Sequence, residues 1–416
     1  MAADDNVGLI LAGGGARGAY EAGVLSTLLP ALEARGESPS VIVGTSIGAI
    51  SCAFVAGNTH LGVEATGAAA LNRWREVSRG HVMSSLVGGL PLTTLRYLGE
   101  ALGVPGVRVQ SLVDTAPLIE TLDAWLDWGQ IHANVRSGAI DSAAVVATDA
   151  RDGRSVVFVD TNAKPPADDE RLRYVKTPLR NEHIRASSAI PIVFPPIEIR
   201  SPAAARGWYY DGGTRMNTPI KPAIDQGADR VVVIALDSVE APPPSKPAAS
   251  GSPPDFGDAA LHLLQGALVD PLVEDVRRLA QVNRLIDQGA DTAHRPIPYI
   301  FIAPEHSATI GEIAREVYDE YYSGLKRLRN PDIAAMTRLL GGSGVSQGAL
   351  ISLLFFERPF VERLIVLGQQ DARRWLDQAT GPDAPWHHGP LETRPGRVEA
   401  AAPRTRRQAT KRPAPV

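Results

Sequence analysis

Two short apolar runs, Val7–Ala12 and Val41–Gly44, each break into a small-residue turn and then into a helix-forming stretch. Uninterrupted apolar runs of this length, without polar alternation, read as parallel strands buried on both faces. The chain around them runs strand, glycine loop, helix (about Gly18 to Ala34), strand, tight turn, helix (from about Ser46). This order predicts an α/β fold with a mainly parallel central sheet flanked by helices, the two turns lying on neighbouring strands.

The first turn satisfies G-x-G-x-x-G through Gly13, Gly15 and Gly18, the spacing that cradles a dinucleotide pyrophosphate. That use requires an acid at the end of the second strand for the ribose hydroxyls. Glu33 and Glu37 precede the strand, and Gly44-Thr45-Ser46 stands at its end. No Gly-Lys-Ser/Thr of a mononucleotide loop is present either. The second turn, Gly44-Thr45-Ser46-Ile47-Gly48, is a G-x-S-x-G between strand and helix, the context of a nucleophile elbow. Ser46 also reads as an ordinary helix N-cap, and the two roles are compatible. With the turns side by side, the backbone N–H groups of Gly14, Gly15 and Ala16 are candidates for an oxyanion hole facing Ser46. Arg17 reads as a loop anchor or anion partner, or equally as a surface arginine.

A serine nucleophile needs a base. Of nine histidines, only His306, just past the apolar run Tyr299–Ala303, stands where an α/β-hydrolase carries its histidine. In that fold, however, the nucleophile strand comes late, whereas Ser46 follows the second strand. Asp211 is the better candidate. It ends the short strand Trp208–Tyr210 and opens Asp211-Gly212-Gly213, where two glycines let the backbone turn and leave the carboxylate facing a cleft. The same triplet also reads as a plain Asp-Gly turn.

Gly13-Gly14-Gly15-Ala16-Arg17-Gly18, Gly44-Thr45-Ser46-Ile47-Gly48 and Asp211-Gly212-Gly213, with Ala186-Ser187-Ser188-Ala189-Ile190-Pro191 between them, occur in the order found in patatin-like phospholipases. The chain resembles that family from about Val7 to Ala303. The resemblance implies a Ser46–Asp211 dyad and an oxyanion hole built from the Gly13–Gly18 loop. It also implies a lipid ester substrate and no metal or cofactor. A lipid-binding protein without catalysis on the same fold is the competing reading.

The remaining chain divides by pattern. Residues 59–137 are helical in periodicity and read as a cap inserted into a 1–303 catalytic domain, with Leu86, Leu90, Leu92, Leu95 and Leu98 as acyl or membrane contacts or as the cap's own core. Ser84–Pro91 reads as a mobile lid. Ala143–Ala147 and Ser155–Val159 read as strands joined by an Asp152-Gly153 hairpin, and Arg230–Ala235 and Tyr299–Ala303 as further strands. Residues 241–257 are Pro/Ala/Ser-rich and read as a surface loop, 258–290 as a helical insert and 304–380 as a C-terminal helical extension. Residues 381–416 read as a disordered tail, whose stretch from Glu392 carries 7 Lys/Arg against 2 Glu and is suited to anionic lipid.

The formal net charge of -4 gives no general sign of nucleic-acid binding, and the single cysteine, Cys52, excludes an intrachain disulfide. An acidic start and the lack of a long apolar run predict a cytoplasmic protein that touches membranes peripherally.

Overall fold

The computed structural model describes residues 6–85, 111, 113–238, 278–279, 281–286, 288, 295–323, 331–333 and 345–388. The strands are β1 (Val7–Leu11), β2 (Pro39–Thr45), β3 (Ser142–Asp149), β4 (Ser155–Thr161), β5 (Leu172–Lys176), β6 (Ile197–Ile199), β7 (Gly207–Asp211), β8 (Arg230–Ile234) and β9 (Tyr299–Ile302). The helices are α1 (Gly18–Glu33), α2 (Ile47–Asn58), α3 (Val63–Glu76), α4 (Arg79–Val82), α5 (Ala116–Trp125), α6 (Trp128–Ser137), α7 (Asn181–Ser187), α8 (Ile220–Asp225), α9 (Thr309–Tyr321), α10 (Val345–Leu354) and α11 (Arg358–Gln378).

One sheet runs β5-β4-β3-β2-β1-β8-β9, with β7 joined to β3 and β6 to β7. Pairing is parallel throughout the centre, and the β3–β4 hairpin is antiparallel. Every residue of β1 and β3 is buried, as uninterrupted apolar runs require of strands covered on both faces. Alternation then assigns each side chain to a layer. Leu9, Leu11 and Ile42 face a core shared with α1, α2 and the C-terminal helices, while Ile10, Val41 and Val43 face a second core with α8.

The C-terminal helices are part of the first core. Helix α11 lies along α1, where the Tyr20 hydroxyl donates to buried Asp371 at 2.9 Å. Close approach there depends on glycine: a Cβ on Gly23 would stand 2.2 Å from the Ile365 carbonyl oxygen.

Two strands escape the sequence reading. β5 has only one apolar position outside its aromatic and valine, and β6 is three residues long after Pro195-Pro196. The acyl-contact leucines and all but Ser84 and Ser85 of the lid segment lie outside the described residues, as do residues 241–257, most of 258–290 and the tail beyond His388. Among the described residues, no helix is long and apolar enough to cross a membrane.

Candidate active site

Both predicted turns sit at the carboxyl end of the sheet, on the parallel pair β1 and β2. Leaving β2, the chain reverses at Ser46 with φ 55° and ψ -122°, a region that costs a non-glycine residue about 1–3 kcal/mol. The flanking glycines make the reversal possible by close approach. A Cβ on Gly44 would stand 2.0 Å from the Gly48 carbonyl oxygen, and one on Gly48 would stand 2.1 Å from that of Leu11.

Asp211 reaches Ser46 through sheet register. β2 pairs with β3 only as far as Thr45 opposite Val146. β3 continues to Asp149, and since β4 holds its other edge, β7 pairs antiparallel along the edge that β2 has vacated. This places Asp211 opposite Ala147, one residue beyond Val146. Ser46 Oγ donates to Asp211 Oδ2 at 2.6 Å, and the Gly213 amide donates to Oδ1 at 2.7 Å. Asp211 is fully buried, and the loss of hydration raises its pKa from 3.8 to about 7, against the opposing pull of the Ser46 and Gly213 hydrogen bonds. Such a carboxylate is a far better proton acceptor at neutral pH than an exposed one.

The segment at the end of α7 clamps the elbow. Ser187 Oγ accepts from the Ser46 amide at 2.9 Å and donates to the Val146 carbonyl at 2.6 Å, while Ser188 Oγ donates to the Ser46 carbonyl at 3.1 Å. The Ala189 carbonyl accepts from the Asp211 amide, so one short segment holds both members of the pair.

The glycine loop is narrower as a donor site than its six-residue motif implies. The Gly13 amide donates to the Asn217 carbonyl, that of Arg17 to Gly14, and that of Gly18 to Gly15. These three N–H groups are therefore occupied. The Gly14, Gly15 and Ala16 amides make no hydrogen bond among the described residues. Asn217, which no local sequence signal marks, also donates from Nδ2 to the Gly13 carbonyl at 3.3 Å. Arg17 is buried and not a surface residue.

Ser46 stands between two cavities. One, with about 950 Å³ of empty space partly open to solvent, is almost wholly apolar and includes Ile50, Phe54, Trp74, Leu118, Leu122 and Phe194 in its wall. The other, about 380 Å³, is bounded by the glycine loop, Asp211, Asn217 and Asp237. Gly15, Ile190 and Leu353 border both. His306 borders neither.

A family model described as patatin-like phospholipase matches residues 9–224, which include the glycine loop, the elbow and the Asp211 turn. The chain belongs to the patatin-like phospholipase family. The match ends before β8, short of the Ala303 limit expected from the motifs, so β8, β9 and the C-terminal helices lie beyond it. Among solved structures, the chain is similar to VipD from Legionella pneumophila, at 14% identity and a TM-score of 0.30, over 73% of this chain and 61% of that one. It is also similar to the ExoU–SpcU heterodimeric complex of the Pseudomonas aeruginosa type III secretion system, at 16% identity and a TM-score of 0.24, over 91% of this chain and 72% of that one. No curated protein matches the sequence significantly. The patatin-like domain makes lipid acyl hydrolysis the class of activity to expect.

Proposed function

We propose that the protein is a serine acyl hydrolase that cleaves fatty-acyl esters of phospholipids or related lipids through a Ser46–Asp211 dyad. One observation carries the reading: the 2.6 Å hydrogen bond from Ser46 Oγ to a buried carboxylate, at the junction of a large apolar cavity and a smaller one that Asp211 borders. The acyl chain occupies the apolar cavity and brings the ester carbonyl to Ser46. As Oγ attacks the carbonyl carbon, its proton passes to Asp211 Oδ2, and the carbonyl oxygen takes the charge among the Gly14, Gly15 and Ala16 amides. Collapse expels the alcohol with the proton held by Asp211, leaving an acyl-Ser46. Asp211, having passed the first proton to the departing alcohol, takes a proton from a water entering through the smaller cavity as that water attacks the acyl carbon; collapse returns this proton to Ser46 Oγ and releases the fatty acid. Phospholipase A or lysophospholipase action fits this layout, with the acyl chain in the apolar cavity and the rest of the lipid outside it.

A fluorophosphonate probe is the direct test. The wild-type protein is expected to label stoichiometrically at Ser46 and to hydrolyse phospholipid vesicles, and Ser46→Ala to do neither. Lipid binding without labelling or turnover would assign the protein to the non-catalytic reading instead.

The pH dependence follows from Asp211 as base. Only the ionised carboxylate accepts the proton, so kcat/KM on a soluble ester is expected to rise through an apparent pKa near 7 and level off above it. A profile already flat from pH 5 to 8 would count against Asp211 as base.

A further inference from the structure

The oxyanion loop is held from outside the residues that match the family. Arg17, in the loop, is buried, and its guanidinium reaches helix α10, more than three hundred residues away. Nε donates to Ser352 Oγ at 2.8 Å and Nη2 to the Ala349 carbonyl at 2.8 Å. Ser352 is itself fully buried, and its hydroxyl donates to the same Ala349 carbonyl at 2.6 Å, so its lone pairs are turned toward Arg17. The contact is also steric. Gly15 lies against the backbone of Leu353, so closely that a Cβ there would stand 2.1 Å from the Leu353 carbonyl oxygen. Leu353 borders both cavities, and Leu354 and Phe356 help to close the apolar one.

These contacts fall on the loop where position matters most. Gly14, Gly15 and Ala16 have no hydrogen bonds of their own among the described residues, so their amides are not oriented by partners in the loop. Glycine-rich backbone is intrinsically free to rotate, yet donors contribute to an oxyanion hole only when aimed in advance. Gly13 is fixed from one side by Asn217. From the other side, the restraint comes from Arg17 and the Leu353 backbone. A guanidinium deprived of these acceptors would remain buried and unsatisfied, which favours movement of the loop over retention of its geometry.

We propose that Ser352 is a positioning residue for the reaction and that helix α10 is a structural part of the oxyanion hole: through Arg17 and Gly15 it aims the Gly14–Ala16 amides at Ser46. Catalysis then depends on α10 being docked, and any event that lifts α10 weakens the oxyanion hole without touching the nucleophile or the base. This inference rests on the serine-hydrolase reading.

The test uses the full chain and a soluble short-chain 4-nitrophenyl ester, with kcat, KM, the pH profile and the melting temperature read for each variant. Ser352→Ala removes the Nε acceptor and is expected to lower kcat about 10- to 100-fold, somewhat less than complete loss of an oxyanion donor. KM is expected to stay within about threefold and the apparent pKa near 7 to be unchanged, because Asp211 and the acyl cavity are intact. Arg17→Lys, which keeps the charge but loses the fork geometry, is expected to fall in the same way. Ser352→Thr, which keeps the oxygen, is expected to recover most of the rate. Wild-type kcat in both Ser352→Ala and Arg17→Lys overturns the proposal, as does a Ser352→Thr variant that is folded and as slow as Ser352→Ala. If the wild-type protein neither hydrolyses the ester nor labels at Ser46, the hydrolase reading itself has failed.

Discussion

Asp211→Asn is expected to fold, to melt higher than the wild-type protein at pH 8 to 9, and to lose ester hydrolysis by about 10³-fold or more. The two effects have one cause. The fold holds Asp211 above its unfolded value of 3.8, at about 7, so the native state favours the protonated form. That contribution to stability is fully present below 3.8 and is lost as the pH rises through 7. Above that, the native state keeps a desolvated charge worth up to about 4 kcal/mol, at 1.36 kcal/mol per pKa unit. Asparagine is neutral at every pH, can accept from the Gly213 amide through Oδ1, and can donate to Ser46 Oγ through Nδ2. The reversed Ser46 hydrogen bond is the reason for inactivity, since the hydroxyl has no base to receive its proton. Melting curves and turnover at pH 6 and 8.5 check both halves. Wild-type-like turnover would remove Asp211 from the mechanism, and a lower melting temperature at high pH would contradict the account of its burial.

Gly48→Ala is expected to be among the most damaging single-methyl additions in the chain. The new Cβ meets the Leu11 carbonyl oxygen at 2.1 Å and the Ala12 carbonyl oxygen at 2.8 Å. Both belong to backbone at the end of β1, and neither can swing aside like a side chain. Gly48 lies inside α2, where alanine is otherwise preferred, so the whole penalty is steric. The expected cost is about 3 kcal/mol or more, and any folded fraction should be catalytically poor because the displaced strand leads into the glycine loop. Gly80→Ala is the control. Its Cβ would meet nothing closer than Ser78 Oγ at 3.8 Å, so stability should hold or rise slightly. Comparable denaturation midpoints for the two variants would show that the elbow tolerates displacement.

The elbow and the glycine loop were legible because their requirements are local. Gly44 and Gly48 are each two residues from Ser46, and strands β1 and β2 announce themselves by unbroken apolar runs. Asp211 is legible as a candidate, but its meeting with Ser46 is legible only through the family resemblance, not from the residues themselves. That depends on β3 outrunning β2 and on β7 occupying the freed edge, a matter of strand lengths in distant parts of the chain. The Ser187 and Ser188 clamp lay within a recognised block, yet nothing local assigns one hydroxyl to an amide and the other to a carbonyl of the same residue. From the sequence Arg17 admits three roles, and only its distant partners Ser352 and Ala349 decide for an anchor. Glu21 is the least legible of all. In the first turn of α1 it is fully buried, accepts from Ser51 Oγ at 2.6 Å, and is raised by burial to about 8, so that it is largely uncharged at neutral pH.

The packing of α11 on α1 has a consequence for biosynthesis. Helix α1 is covered by α11, and the Tyr20–Asp371 bond spans 351 residues. At roughly 5–20 residues per second, about 20–70 s of translation separate the two partners. Throughout that interval, the side of α1 that faces α11 lacks its native partner, although α2 and α3 can already pack on its other sides. The newborn chain therefore carries a helix with a sticky face that a holding chaperone must shield until α11 arrives.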